Sequence, residues 1–313
     1  MSERIALTVV SNNVTKLARW ISEWERVGDH DEMIIVEDSL ARSRIADSFS
    51  WAEMDCELGG ERDVIPRQCP GARLFAFLKA IEAGCDYIVS LDDDCFPVQD
   101  DFCKSHMKAM SPTKWARLVP GHRTSGIPYQ DEGQLRCHLN IGLWSGLADL
   151  DCFQLVAGER SVPIPTGNTI VPAGQYLPLA SGNFCFHRDL AYTMYLPRMG
   201  GTSPFTRFDD MWAGVIMKKV CDHLGLRVSC GLPIIEHRSG VVTWPRVEQE
   251  IAGIKAHEWF WRFVDGIQLA GHDVRSATRE IGSALSAIKD VFFSDFGGKI
   301  LRWTDLVDRY LNK

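Results

Sequence analysis

The sequence predicts an α/β fold: a Rossmann-like, mostly parallel central sheet followed by a helical C-terminal region. Three observations carry that expectation. Strand-like and helix-like runs alternate through residue 100, the pattern of right-handed βαβ units. The apolar run Tyr87-Ile88-Val89-Ser90-Leu91 leads directly into Asp92, Asp93 and Asp94, and parallel sheets gather ligands beyond the carboxyl ends of their strands. Beyond Val247 the apolar spacing is helical to the end. The expected division is therefore a sheet domain over 1–246 and a helical region over 247–313, packed on that domain or on a partner subunit.

In chain order, residues 4–10 (Arg-Ile-Ala-Leu-Thr-Val-Val) read as a buried strand. Thr15 to Arg26 reads as a helix, because Leu17, Trp20, Ile21 and Trp24 fall on one face with charges between them. Met33 to Val36 is a second strand, ending at Glu37-Asp38-Ser39. Residues 72–83 form a helix closed by Gly84, a common C-terminal cap, and the strand Tyr87 to Leu91 follows. The Gly- and Pro-rich stretch 120–180 is expected to be loops and short strands over the site. Asp209 to Leu224 reads as a helix capped by Gly225, and Val228–Cys230 with Pro233–Ile235 as a strand ending at Glu236-His237. Helical spacing then runs through Ile254, Trp259, Trp261 and Phe263, through Ile281 to Phe293, and through Ile300 to Leu311.

Composition excludes several classes. The chain has 313 residues, 45% hydrophobic, and a net charge of −7, enough for a large core. Basic residues form no runs, so nucleic acid is not an expected partner. No apolar run reaches the roughly 18 residues of a membrane span, and the N-terminus carries no signal-peptide pattern. The ten cysteines include no Cys-x-x-Cys pair, which argues against structural zinc and for free thiols in a reducing cytosol.

The acidic triplet suits a hard divalent cation, since carboxylate oxygens favour Mg²⁺ or Mn²⁺. In extended backbone Asp92 and Asp94 point the same way and Asp93 elsewhere. An EF-hand is a poor match, because Cys95-Phe96-Pro97 follows the triplet. A phosphatase nucleophile lacks supporting lysine and threonine motifs. A solvated loop capping a helix near Pro97 remains the plain structural alternative.

Several segments resemble the reversibly glycosylated polypeptide family, to which plant UDP-arabinopyranose mutases belong. They are IIVEDS (34–39), YIVSLDDDCF (87–96), GLWSGLADLD (142–151), SGNFCFHRDL (181–190) and RFDDMWAGVIMKKVCDHLGLRVSCGLPIIEH (207–237). The resemblance covers roughly residues 4 to 260. It implies a glycosyltransferase fold of the GT-A type, a UDP-sugar donor and Mn²⁺ or Mg²⁺ as cofactor. It implies Asp92, Asp93 and Asp94 as metal ligands, with Asp92 and Asp93 also facing the nucleotide, and His237 as a further ligand. Asp38 would face the uracil or ribose, and Arg73 the diphosphate. Asp209 and Asp210 are the candidate catalytic carboxylates for an oxocarbenium-like carbon, and Asp also caps helices well. Trp144, Gly182, Asn183 and Trp212 are the candidate sugar or acceptor pocket, although a tryptophan is more often core.

One departure bears on activity. The family carries an arginine, linked to self-glycosylation and mutase activity, in a Ser-Leu-Arg-Glu-Gly segment before the Gly-Leu-Trp. Here Glu132 falls at that place, Arg136 lies nearby, and Ser125 replaces a second arginine. A carboxylate cannot mimic the guanidinium fork. The expectation is therefore transfer of the sugar to a separate, unknown acceptor. A pyranose–furanose mutase is the alternative, and a non-catalytic assembly subunit is a third reading, with a homo-oligomer among the expected partners.

Overall fold

A computed structural model describes the chain except for residues 1–2, 41–42, 44–46, 118–121, 124, 147–149, 151, 159–166 and 239–243. Asp149 and Asp151, the Asp-x-Asp of the Gly-Leu-Trp segment, lie outside the described residues.

The parallel part is built first. Strands β1 (Ile5–Ser11), β2 (Glu32–Glu37), β3 (Ser48–Phe49) and β4 (Tyr87–Asp92) pair in parallel in the order β3-β2-β1-β4. Helices α1 (Val14–Val27), α2 (Trp51–Leu58) and α3 (Arg73–Glu82) connect them. Asn13 caps α1 by accepting from Lys16 N, and Gly28 ends it in the left-handed region at φ 60°.

The sheet continues through β5 (Cys95–Pro97), β6 (Cys137–Gly146), β7 (Thr169–Ile170), β8 (Asn183–His187) and β9 (Arg227–His237). Its order is β3-β2-β1-β4-β8-β6-β9-β5, with β7 on β9. β8 runs antiparallel to β4 and β6, and β6 is parallel to β9. Most paired positions among the described residues lie in parallel ladders.

Strand alternation divides the core into two layers. Ile5, Leu7 and Val9 of β1 and Val89 and Leu91 of β4 pack with Trp20 and Trp24 of α1 on one face, joined by Phe102 of α4 (Phe102–Ala109). Ile88, Phe184 and Phe186 face the other way, onto α3 and α6 (Asp209–Leu224). Each such aromatic contributes about 1.5–3 kcal/mol by burial. The short α5 (Cys152–Val156) follows β6.

The C-terminal helices α7 (Trp244–Gly266), α8 (Val274–Ser286) and α9 (Val291–Leu311) share this second layer. Trp212 of α6 has ring centroids 5.1 Å from Phe260 and 5.4 Å from Phe293. α7 begins at Trp244, ahead of the expected boundary at 247, and continues the sheet domain's core. The spacing from Ile281 to Phe293 covers two helices: Asp290 caps α9 by accepting from Phe292 N and Phe293 N. No helix among the described residues is long and apolar enough to cross a membrane, and no disulfide forms among them.

The stretch read as loops and short strands contains the ten-residue β6. Polar residues hide it in the sequence: Asn140 donates to His106 Nδ1 at 2.8 Å and His106 Nε2 lies 3.1 Å from Asn183 Oδ1, inside the molecule. Burial pushes His106 down to about 3, so it is neutral and carries its proton on Nε2. Gly142 explains the glycine of Gly-Leu-Trp, since a Cβ there would stand 2.5 Å from Pro233 O and closer still to the Asn183 amide. Gly142→Ala should cost about 3 kcal/mol or more, read as a lower denaturant midpoint with unchanged slope.

Candidate active site

The acidic turn is positioned by strand register. Val10 of β1 stands opposite Asp92, so the next residue, Ser11, reaches Asp93. Ser11 Oγ donates to Asp93 Oδ2 at 2.5 Å, and Lys16 Nζ lies 3.3 Å from Asp93 and 3.4 Å from Asp94. On the other side β5 pairs with β9 and sets Cys95 opposite His237. His237 Nε2 consequently sits 3.6 Å from Asp94 Oδ1. Burial alone would raise Asp94, but His237 and Lys16 outweigh it and hold its carboxyl below the usual range.

Arg73 is buried, at 2% exposure. Its Nη2 donates to Asp92 Oδ1 at 2.5 Å, Nη1 to Ser90 Oγ at 2.8 Å and Ser181 O at 2.7 Å, and Nε to Pro70 O at 3.1 Å. Burial would lower Arg73, but Asp92, with Asp210 and Asp209, outweighs it and raises it, so the guanidinium stays charged. Arg73 was expected at the diphosphate. Here its fork holds Asp92, and the residue also lines a cavity beside the acidic turn.

Asp92, Asp94, Gly182, His237 and Asp209 line one cavity of about 490 Å³, with Trp144 and Asp210. Asp93 faces a second cavity, which Asp38, Arg73, Asp92 and Asp94 also line. Asp38 Oδ1 accepts from Trp51 Nε1 at 2.7 Å and Oδ2 from Cys69 N at 3.1 Å. These contacts hold a segment in which Gln68 has φ 58°. Phe208, at φ 99°, precedes α6 and presents Asp209 and Asp210. Left-handed non-glycine backbone costs about 1–3 kcal/mol, and both instances among the described residues border the cleft.

Asp210 Oδ2 accepts from Ser181 N at 3.0 Å and Oδ1 from Met211 N at 2.8 Å. Asp209 is 4% exposed, and its Oδ2 has no hydrogen-bond partner among the described residues. Burial first and Asp210 second push Asp209 up to about 7 against the pull of Arg73. Asp209 therefore holds its proton to near neutrality.

Two expected pocket residues are elsewhere. Asn183 is fully buried, and its Nδ2 donates to Leu143 O at 2.9 Å and Pro233 O at 3.2 Å. Trp212 is wholly enclosed by core aromatics. Gly182 and Trp144 do line the cavity. Residues that sequence reasoning missed are Lys16 and, from α7 and the turn before α6, Gln249, Glu250 and Arg207. Only the β1–α1 connection gives a signal for Lys16, which follows the carboxyl end of a strand. Gln249 and Glu250 look like any solvated helix face.

The donor set fits a hard cation. Asp92 Oδ1 is held by Arg73, and its Oδ2 faces Gly182, where a Cβ would come within 3.0 Å. Asp94 and His237 border the same space. No three His, Cys, Asp or Glu among the described residues are grouped to hold an ion by themselves. Mg²⁺ is commonly held by one or two carboxylates together with substrate phosphates, so a full protein cage is not required.

The acidic turn, the carboxylate pair and the histidine thus line one cavity beyond the carboxyl end of β4, where α/β sheets gather ligands. The family model described as reversibly glycosylated polypeptide matches residues 121–309, and the chain belongs to that family. Probable UDP-arabinopyranose mutase 4 of Arabidopsis thaliana is 27% identical over 276 residues, 80% of this chain and 75% of that protein. UDP-arabinopyranose mutase 1 of Oryza sativa subsp. japonica is 28% identical over 268 residues, 78% of this chain and 71% of that protein. Among solved structures, glucosyl-3-phosphoglycerate synthase from Mycobacterium tuberculosis, in complex with Mn²⁺, UDP and glucosyl-3-phosphoglycerate, superposes with a TM-score of 0.43. It is 14% identical, over 92% of this chain and 82% of that one.

Proposed function

We propose that this chain is a divalent-metal-dependent enzyme that breaks the sugar–phosphate bond of a UDP-sugar, as a pyranose–furanose mutase. The observation that carries this is one cavity bordered by Asp92, Asp94, His237 and Asp209, in a chain similar over most of its length to UDP-arabinopyranose mutases.

Asp92, Asp94 and His237 would hold Mn²⁺ or Mg²⁺. Bound there, such an ion would supply charge neutralisation for a departing diphosphate without proton transfer. The chain's own residues supply the rest. Arg73 fixes Asp92, and Asp38 faces the uracil or ribose in the adjoining cavity, as in the GT-A arrangement that the family resemblance implies. Trp144 walls the sugar. Exchanging the ring oxygen requires one hydroxyl to lose a proton and another oxygen to gain one. Asp209, raised by burial and by Asp210, stands beside a second carboxyl group at the same cavity, so the pair suits both transfers.

Transfer to a separate acceptor is the second reading, and Glu132 favours it. Where the family resemblance places an arginine, Glu132 is paired with Arg117 at 2.7 Å and Arg123 at 2.8 Å. Incubation with UDP-arabinopyranose and Mn²⁺, followed by chromatography, separates the readings. UDP-arabinofuranose is the mutase outcome, and free UDP without it is the transfer outcome. A chain that gives neither product and no metal-dependent heat with UDP is an assembly subunit, contrary to both.

A further inference from the structure

Beside the acidic cavity lies a second chamber of about 410 Å³, within the range of small-molecule sites. The two share Trp144, Arg207, Asp210 and Glu250 as a common border. Arg207 Nη1 lies 3.4 Å from Glu250 Oε1 there. Beyond that border the walls turn apolar, with Leu143, Leu150, Leu177, Leu179, Met211 and Ile254. These come from β6, the segment before α5, the segment before β8, the start of α6, and α7, so five parts of the fold wall the chamber. A diphosphate or a sugar has no use for such walls, because its hydroxyls would be left unpaired against them.

Asp210 links the two spaces chemically. Its carboxylate is oriented by Ser181 N and Met211 N, and it borders both the sugar side and the apolar side. A hydroxyl group carried by an apolar body in the chamber would meet that carboxylate at the border. His257 also lines the chamber, and its buried Nδ1 has no hydrogen-bond partner among the described residues, a polar anchor for a ligand.

We propose that this chamber binds a small apolar alcohol, aromatic or terpenoid in size, as an acceptor for the sugar. The alcohol oxygen bonds to the anomeric carbon while the bond from that carbon to the β-phosphate oxygen breaks. The electron pair leaves with UDP, and the hydroxyl proton passes to Asp210 and then to water. The products are an apolar glycoside, UDP and a proton. The inference rests on the reading that this chain breaks the sugar–phosphate bond of a UDP-sugar, and it adds a fate for that sugar.

The test uses the full chain with UDP and Mg²⁺, and geraniol, 2-naphthol and glycerol as probes in saturation-transfer NMR. Geraniol or 2-naphthol should bind saturably and glycerol should not. Ile254→Trp and Leu150→Trp fill the chamber from different walls. Each should weaken binding of the apolar alcohol at least tenfold while UDP affinity stays within twofold. Should one of these variants fail to fold, the other carries the comparison. Absence of binding by both apolar alcohols, or undiminished binding in the filled variants, overturns the proposal. Failure of the underlying reading is distinct: wild-type protein would then show no metal-dependent heat with UDP, whatever the alcohols do.

Discussion

Arg73→Met should unfold with a stability lower by about 3 kcal/mol and lose UDP-sugar turnover. The side chain is of similar length, so the loss is of hydrogen bonds rather than volume. Arg73 satisfies Asp92 Oδ1, Ser90 Oγ, Ser181 O and Pro70 O. Removing one member of a buried ion pair typically costs about 3–5 kcal/mol. The side chain of Asp92 keeps 39% exposure, so water recovers part of that and the lower end applies. Arg73→Lys keeps the charge but not the fork, and should recover less than half of the stability. Because Arg73 acts through Asp92, the loss should extend to affinity for Mn²⁺ in the presence of UDP. Chemical denaturation together with a Mn²⁺ titration checks both. Full metal affinity in Arg73→Met would contradict the positioning role.

The second large effect is pH-dependent and of opposite sign. Asp209 is raised to about 7 by burial, with Asp210 adding to it, against roughly 3.9 in the unfolded chain. Between those values the folded state binds a proton that the unfolded state has released. Stability therefore falls as pH rises through this window, and the loss, about 4 kcal/mol, is complete above the folded value. Asp209→Asn removes the titration but leaves a buried amide without a partner, at a cost of about 1–3 kcal/mol. The variant should be more stable than the wild type at pH 8 by about 1–3 kcal/mol and no more stable at pH 5. Its turnover should drop by about 100-fold or more. Thermal unfolding at the two pH values gives the comparison. An equal difference at both would mean that Asp209 does not titrate as described.

The sequence disclosed the strand ends more readily than the walls. Tyr87 to Leu91 is apolar enough to mark a buried strand, so the carboxylates after it had to face the sheet's edge. The same patterning placed Asp209-Asp210 before a helical run and His237 at the close of a strand, whereas their candidate roles came with the family resemblance. Arg73 was visible as a residue, but its role depends on Ser90, Ser181 and Asp92 meeting around it, which only register decides. Asn183 and Trp212 share the chemistry of sugar binders, and burial alone removes them from the pocket. β6 escaped notice because Asn140 and His138 interrupt its apolar pattern, and Asn140 is satisfied by His106 from a distant helix. The closing wall from α7 was illegible for the opposite reason: Gln249 and Glu250 carry nothing to distinguish them from solvent-facing polar residues.

Calorimetric titration of Mn²⁺ into protein and UDP, comparing wild type with Asp92→Asn plus Asp94→Asn, addresses the central claim most directly. Asparagine keeps an amide oxygen for Arg73, so the fold is retained while two anionic ligands are lost. The expected result is saturable, UDP-dependent Mn²⁺ binding in the wild type and at least a 100-fold weaker affinity in the double variant. Equal Mn²⁺ and UDP affinity in the two proteins would contradict the account, because the acidic turn would then have no part in holding the nucleotide.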